Sequence, residues 1–304
     1  MRLRILLALT TVASASTKLF EYNGSENPIA FPNGKFRCLD SPYNEDTGEN
    51  IPQSQNGDLC PTPEGLIIEC SPSHLIQPQF VPGAQFFMYT DAQFPVQPGK
   101  LAIEMTSSVH IYGVEDHPFG DKVQDPHKDP LLACTAITVH PHSDMLFSFV
   151  FTNEAIYAFV TKLLTRPEQP GAQYLIPLIT TRAGAVHTTK FILNNDSKSI
   201  NWLIDGEQQY SWQQGAEISE IYLLRRPGEN AVFQFPTGKV GASVGILSFW
   251  DELKGERTTS LDLDTLGVNP TFGEQAQKLA ESVDNKWSPK VIFTINSITV
   301  TQEY

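Results

Sequence analysis

The chain of 304 residues is poor in charged residues and especially in basic ones. Only 18% of its residues are charged, and 34 acidic against 21 basic residues give a formal net charge of -13 at pH 7. An acidic surface repels phosphate backbones and anionic lipid, which argues against binding to nucleic acid or to membrane surfaces. No apolar run reaches the roughly 20 residues that a membrane-spanning helix needs. The composition therefore favours a soluble protein with neutral partners such as glycans.

Familiar nucleotide-binding and metal-binding fingerprints are also missing. The chain has no phosphate-binding loop and no dinucleotide fingerprint. It has no C-x-x-C pair, which argues against a structural zinc site. His140 and His142 flank Pro141, but we identify no third zinc ligand and interpret the pair as part of a turn.

The N-terminus has the pattern of an export signal. Arg2 and Arg4 precede a short apolar run, and Ala13-Ser14-Ala15 matches an A-x-A cleavage site. We predict a signal peptide at residues 1–15 and an extracellular protein. Two N-x-[ST] sequons, at Asn23 and Asn195, are predicted glycosylation sites in a eukaryotic secretory pathway.

The chain contains only four cysteines, Cys38, Cys60, Cys70 and Cys134. Disulfides are the default in an exported protein, and four cysteines allow three connectivities. We favour Cys38–Cys60, which would close a polar loop, together with Cys70–Cys134, which would join two strands.

What the sequence does contain is a strong two-residue alternation of apolar and polar side chains. It is clearest in LAIEMTSSVHI, MLFSFVFT, AIYAFVTKL and VIFTINSITV, which are separated by Pro-Gly, Asp-Gly and Asn-rich turns. This pattern predicts an all-β antiparallel sandwich, with one or two short helices on loops, one of them near residues 272–283. We predict a single β-sandwich domain at residues 61–304, preceded by an irregular, disulfide-stapled wrap at residues 16–60.

One turn is predicted in detail. In INWLIDGEQQY, Asp205 and Gly206 separate two strand-like runs, which predicts a type I′ hairpin because both central residues of that turn need positive φ. We therefore interpret Asp205 as a turn residue and not as a catalytic one. Trp202 alternates with Ile200 and Ile204, which predicts that it lies in the core.

Three segments carry a resemblance to a known family. They are DAQFPVQPGKLAIEM, DPLLACTAITVHPHSDMLFSFVFTNEAIYAFVTKL and VHTTKFILNNDSKSINWLIDGEQQY. In these segments the chain resembles a family of uncharacterised secreted proteins with a concanavalin A-like (jelly-roll) lectin/glucanase sandwich, and the resemblance spans roughly residues 64–250. It implies the fold and the order of strands, and it implies no reaction because that family has none established.

Glucanases with the same fold use a catalytic strand that reads E-x-D-x-x-E. The nearest approach in this chain is SLDLDTLG, in which Asp262 and Asp264 share a face but Gly267 stands where the third acid belongs. We interpret that segment as a loop or strand end with solvated aspartates.

The candidate binding residues lie on one alternating strand and after one glycine-rich strand. Polar side chains that alternate with Ile103, Met105 and Val109 are predicted to form the floor of a sugar site, with Tyr112 as a stacking ring. They are Glu104, Thr106, Ser108 and His110. Trp250 and Asp251, which follow VGASVGILS, are predicted to form a stacking and hydrogen-bonding pair.

The segment EDHPFGDKVQDPHKDP, residues 115–130, is the most concentrated polar stretch. We interpret it mainly as a loop that shapes a binding groove. The alternative is a Ca²⁺ site, since Ca²⁺ takes six to eight oxygen ligands, and its candidate ligands are Asp121, Asp125 and Asp129. No other cofactor is predicted.

Three functional hypotheses follow. The first is a secreted, non-catalytic carbohydrate-binding or extracellular structural protein. The second is a divergent glycoside hydrolase or lyase, for which Glu104 and Asp116 would be the acid pair. The third is a secreted protein-interaction module. Two carboxyl groups roughly 5 to 9 Å apart across a cleft would favour the second hypothesis.

Overall fold

The computed structural model describes residues 16–28, 34–38, 57–70, 84–117, 123–130, 132, 134–141, 145–162, 172–225, 232–247 and 289–304. Their regular structure is almost entirely β, because alternating side chains fit strands that have one buried face. The strands are β1 Ser16–Tyr22, β2 Phe36–Cys38, β3 Gly57–Thr62, β4 Gly65–Cys70, β5 Ala84–Thr90, β6 Phe94–Pro95, β7 Lys100–Tyr112, β8 Cys134–Pro141, β9 Met145–Phe151, β10 Ala155–Lys162, β11 Ala172–Thr180, β12 Val186–Asn194, β13 Ser199–Ile204, β14 Glu207–Gln213, β15 Leu223–Arg225, β16 Lys239–Leu247 and β17 Lys290–Glu303, with a short 3₁₀ turn at Glu220–Tyr222.

The described strands form two antiparallel sheets. The first sheet has the order β14-β13-β12-β7-β17-β4-β3, and β1 pairs with β17 beside β4. The second has the order β15-β11-β10-β9-β8-β16-β5-β2, and β6 pairs with β16. The sheets pack face to face, which confirms the predicted antiparallel sandwich of concanavalin A-like, jelly-roll type.

Aromatic side chains from both sheets fill the core. Phe149 of β9 lies with its ring centroid 4.6 Å from that of Phe191 on β12, and Phe147 contacts Trp202 at 6.2 Å. The Trp202 indole N–H donates to the carbonyl of Ser148 in the opposite sheet at 3.1 Å. Trp202 is fully buried, so its predicted core position is confirmed.

The predicted Asp-Gly hairpin is also confirmed. Asp205 has φ 52° and Gly206 has φ 86°, and they are the two residues between β13 and β14. Asp tolerates a left-handed backbone better than most residues and glycine has no Cβ to hinder it, so this dipeptide fixes the register of the hairpin.

The N-terminal segment is more regular than predicted. Of residues 16–60, β1 and β3 lie in the first sheet and β2 in the second, so the expectation of an irregular wrap was wrong for these parts. Phe20 and Tyr22 carry the alternation in β1, opposite Val300 and Ile298 of β17. The domain boundary at residue 61 stays a prediction, and residues 1–15 lie outside the described residues.

Both predicted disulfides are contradicted, because Cys60, Cys70 and Cys134 are free thiols. The register explains why. Cys70 is buried together with Leu66 and Ile68 on the core face of β4. Cys134 lies opposite Leu247 of β16, and it is one of the alternate β8 residues whose side chains point away from the first sheet. Cys60 lies opposite Ile67 on the outer face of the first sheet, whereas β2, which carries Cys38, is at the edge of the second.

Residues 272–283, where a helix was predicted, lie outside the described residues. Among the residues that the structure describes, no helix is long and apolar enough to cross a membrane.

Candidate functional site

The predicted polar strand face exists, on the outside of the first sheet. We call the outward side chains of β7 the outer ladder; they are Glu104, Thr106, Ser108, His110 and Tyr112. Each is at least partly exposed, while their neighbours Ile103, Met105, Ser107, Val109 and Ile111 are buried against the second sheet. Alternation in β7 therefore separates a core face from a polar face, as the sequence predicts.

Near the start of β7, side chains of the outer ladder form polar contacts with side chains of the neighbouring strand β12. The Lys190 ammonium lies 3.4 Å from the Glu104 carboxylate, and the hydroxyl groups of Thr106 and Thr188 are hydrogen-bonded at 3.0 Å. Both pairs lie directly opposite each other in the β7–β12 register. Glu104 thus has a cationic partner on a half-exposed surface, which is the environment of an ordinary surface ion pair.

The upper end of the outer ladder carries an aromatic platform. The rings of His110 and Tyr112 stack with centroids 3.9 Å apart and planes at 11°, and Tyr112 is 45% exposed. Beside this His110–Tyr112 platform, the Lys290 ammonium of β17 lies 2.5 Å from the Glu69 carboxylate of β4. A flat ring bordered by charged groups is suited to hold a ligand that has one apolar and several polar faces.

The acid pair required by the hydrolase hypothesis is not formed by Glu104 and Asp116. Glu104 lies near the start of β7, whereas Asp116 is exposed in the turn beyond its end. At about 3.4 Å per residue, Glu104 is about 27 Å from Tyr112 along the strand. Two catalytic carboxyl groups must lie roughly 5 to 9.5 Å apart, so this separation along β7 argues against the pair, whose roles stay a prediction.

The outer face of the second sheet carries no acid on its strands. The nine strands that the described residues form there contain no aspartate or glutamate. The polar side chains on this face include hydroxyl groups. Those of Ser148 and Thr138 are hydrogen-bonded to each other at 2.8 Å, and that of Ser243 donates to the Thr138 carbonyl at 3.3 Å. Asp262 and Asp264 lie outside the described residues.

Glycines on the same face of β16 make room for rings. A Cβ added at Gly241 would lie 2.5 Å from the His140 ring, and one added at Gly245 would lie 2.7 Å from the Phe87 ring. The glycine-rich strand therefore accommodates side chains of its own sheet, and this packing gives the glycines a structural role.

The polar loop at residues 123–130 is fastened to the sandwich by its own contacts. The buried Asn153 donates to the carbonyl of Ile111 at 2.6 Å and contacts His127 Nδ1 at 3.2 Å. The Tyr157 hydroxyl donates to the carbonyl of Lys128 at 2.8 Å. These bonds place the loop beside the upper end of β7, next to the platform.

The Ca²⁺ alternative gains no support from the described part of this loop. The Asp125 carboxylate accepts a hydrogen bond from the Lys128 ammonium at 2.6 Å. Among the described residues no three His, Cys, Asp or Glu side chains come together as metal ligands. Asp121 lies outside the described residues, and Asp129 belongs to no such group among the residues that the structure describes.

The remaining predicted site residues are scattered. Trp250 and Asp251 lie outside the described residues. Trp212 is buried and donates its indole N–H to the Ala216 carbonyl, so it is a core residue. Asn23 and Asn195 both lie in turns, where a glycan would project from the fold, and their glycosylation stays a prediction.

The structure also contains a cluster of three hydrogen-bonded side chains that the sequence did not predict. The Thr181 hydroxyl lies 2.6 Å from His187 Nε2, and His187 Nδ1 lies 2.7 Å from a carboxylate oxygen of Asp205. Burial acts to raise the pKa of Asp205, but a hydrogen bond from the Thr188 N–H and the interaction with His187 hold this pKa below its usual value. The one available signal was His187 itself, a polar residue at a core-facing position of β12.

Comparisons with known proteins show a family and assign no activity. The profile of the Family of unknown function (DUF6081) matches residues 52–304, and no curated protein matches the sequence. The chain is similar to an endo-1,3-β-glucanase from Streptomyces sioyaensis, with 11% identity, TM-score 0.49, and coverage of 94% of this chain and 96% of that chain.

Two further solved structures are similar at the same level. A Bacillus licheniformis β-glucanase has 12% identity and TM-score 0.45, with 95% of this chain and 98% of that chain covered. The alginate lyase A1-II′ of polysaccharide lyase family 7 has 8% identity and TM-score 0.46, with 88% of this chain and 95% of that chain covered. At these identities and scores, the resemblance carries no inference about activity.

Proposed function

Since the chain belongs to the Family of unknown function (DUF6081), whose description assigns no activity, we propose from its surface that it is an extracellular protein that binds a neutral glycan without cleaving it. The binding surface in this proposal is the His110–Tyr112 platform together with the rest of the outer ladder. The observation that carries the proposal is the exposed, pre-stacked Tyr112 ring at the head of a row of hydroxyl and paired charged groups.

The platform suits the apolar face of a sugar ring. Aromatic side chains combine a large apolar surface with a polar edge, and Tyr112 presents 45% of its surface to solvent. The His110 ring stacks almost parallel on the Tyr112 ring with the two centroids 3.9 Å apart, so the orientation of the Tyr112 ring is restricted before any ligand binds. Restricting a binding side chain in advance reduces the entropy lost on binding.

The outer ladder extends this platform with polar groups at regular intervals. Outward side chains on a strand recur about every 6.8 Å, which places Ser108, Thr106 and Glu104 in a line from the platform. The charge of Glu104 is balanced by Lys190, and that of Glu69 by Lys290. A surface of hydroxyl groups and balanced ion pairs, on a protein of net charge -13, favours a neutral and not an anionic ligand.

Two observations favour binding over cleavage. The strands of the second sheet, as far as the structure describes them, carry no carboxylate, and Glu104 and Asp116 are too far apart to act as a pair. A hydrolase or lyase would need its acids elsewhere, so cleavage is kept as an outcome of the test.

The test combines a glycan array with a reducing-sugar release assay on the same purified protein. Tyr112→Ala is expected to weaken binding about 2- to 10-fold, since an aromatic contact contributes about 0.5–1.5 kcal/mol. Tyr304→Ala is the matched control: Tyr304 is also an exposed tyrosine of the first sheet, but it follows the end of β17 that pairs with Lys100, far from Tyr112. Its removal should leave binding unchanged.

The outcomes separate the hypotheses. Absence of binding on the array would refute the proposed function, and equal loss in the Tyr112 and Tyr304 variants would refute the assigned surface. Release of reducing ends that Glu104→Gln abolishes would establish the hydrolase hypothesis instead.

A further inference from the structure

The missed cluster has the geometry of a nucleophile, a base and an orienting acid. Thr181 lies in the connection from β11 to β12, His187 on β12, and Asp205 in the turn between β13 and β14. The two hydrogen bonds that join them measure 2.6 and 2.7 Å. We call this set the Thr181–His187–Asp205 triad. It is separate from the outer ladder, because His187 is at a core-facing position whereas the ladder faces outward.

The donor and acceptor groups of the three side chains determine which atom carries each proton. An ionised Asp205 carboxylate only accepts, so the histidine proton is assigned to Nδ1, and Nε2 is left to accept from the Thr181 hydroxyl. The second carboxylate oxygen of Asp205 accepts from the Thr188 N–H at 2.9 Å, which fixes the acid in place. A hydroxyl that donates to a histidine held by a third group is the signature of an activated nucleophile.

The triad is held by backbone contacts on each of its three segments. The Thr181 N–H donates to the Glu154 carbonyl at 2.9 Å, the Gly184 N–H to the Val109 carbonyl at 2.7 Å, and the Asp205 N–H to the Thr188 carbonyl at 2.8 Å. These bonds fix the separation of the three side chains. Ordered support of this kind is what a catalytic constellation needs.

The triad is also accessible. Residues 182–184, which follow Thr181, are exposed, and the His187 side chain retains 16% of its exposure. A substrate carbonyl group can therefore approach the Thr181 hydroxyl from solvent.

We propose that the Thr181–His187–Asp205 triad hydrolyses carboxylic esters. The Thr181 oxygen attacks the carbonyl carbon while its proton passes to His187 Nε2. The bond from that carbon to the leaving alcohol then breaks, and His187 returns the proton to the alcohol. Water releases the acyl group from Thr181 by the same two proton transfers, so acid and alcohol leave and the threonine is regenerated. This activity does not depend on the proposed glycan binding.

The test measures hydrolysis of p-nitrophenyl acetate by the full chain and by four variants. Thr181→Val, which keeps the shape but lacks the hydroxyl, should fall to the buffer rate, while Thr181→Ser should retain activity. His187→Gln should lose about 100-fold or more, the usual contribution of a general base. Asp205→Asn should cause a similar loss, although asparagine tolerates the left-handed backbone of this turn. Acid-quenched protein should carry the acetyl group on the peptide that contains Thr181.

Folding and specificity are controlled separately. Each variant is scored only if its urea unfolding midpoint stays near that of the wild type, and Thr181→Ser serves as the conservative rescue. Thr62→Val is the matched control, because it removes a different threonine hydroxyl, one that donates to the Gly65 carbonyl in another hairpin. Wild-type turnover at the buffer rate, full activity in a folded Thr181→Val, or an acetyl group on another residue would each overturn the proposal and leave the triad a structural clamp.

Discussion

The close approach of the segment after β1 to β4 and β17 predicts a large difference between two glycine substitutions. Gly24 and Gly215 both have a left-handed backbone, with φ 76° and 85°. A Cβ at Gly215 would meet nothing within 4 Å, whereas one at Gly24 would lie 2.4 Å from the Ile295 carbonyl oxygen, 2.7 Å from Gly65 Cα and 2.8 Å from the Leu66 nitrogen. The first substitution therefore tests backbone strain alone, and the second tests strain together with a clash.

The magnitudes follow from these distances. A left-handed backbone costs an L-residue about 1–2 kcal/mol, and this applies to Gly215→Ala and to Gly24→Ala alike. At Gly24 the methyl group must also move about 1 Å away from three backbone atoms, and such overpacking costs a further 1–3 kcal/mol or so. The free energy of unfolding should thus fall by about 1–2 kcal/mol for Gly215→Ala and by about 2–5 kcal/mol for Gly24→Ala.

Urea unfolding with a constant m-value is the assay, and bacterial expression keeps Asn23 free of glycan. Amide exchange of β1 is measured in parallel, because the strain can also be relieved by detachment of β1 from β17. Equal destabilisation by both substitutions, with unchanged exchange in β1, would refute the close packing of this segment.

Two further predictions concern the thiols and the hairpin aspartate. Iodoacetamide at pH 8 should modify the exposed Cys60 of the folded protein and spare Cys70 and Cys134. The reason is that burial raises the pKa of both buried thiols, that of Cys70 to about 12. Equal labelling of the three cysteines in mass spectrometry would contradict this burial. Asp205 has a lowered pKa in the folded state, so its stabilisation is present above the ordinary value of 3.8 and is lost as the pH falls through the lower, folded value. Between pH 6 and pH 3 the wild type should lose up to about 1 kcal/mol more stability than Asp205→Asn, since the carboxylate is half exposed; parallel curves in urea unfolding would refute this contribution.

Local patterns in the sequence determined much of the fold and one face of the candidate site. Period-two alternation identified the strand that carries Glu104 to Tyr112, including which side chains point outward. The Asp-Gly dipeptide specified its hairpin because its backbone requirement involves only two adjacent residues. The core position of Trp202 followed from its place between Ile200 and Ile204.

Tertiary structure alone decided which of these residues meet. Alternation gives the face of a side chain and not its partner, because partners are set by the register between strands distant in the chain. Cys70 and Cys134, which were predicted to pair, therefore lie on the core face of one sheet and on the outer face of the other, and Asp116 lies in the turn beyond the end of the strand that carries Glu104. For the same reason Asp205, which the sequence identified as a turn residue, also holds His187 in place. The turn was local and could be predicted, whereas the contact with His187 depends on the pairing of β12 with β13.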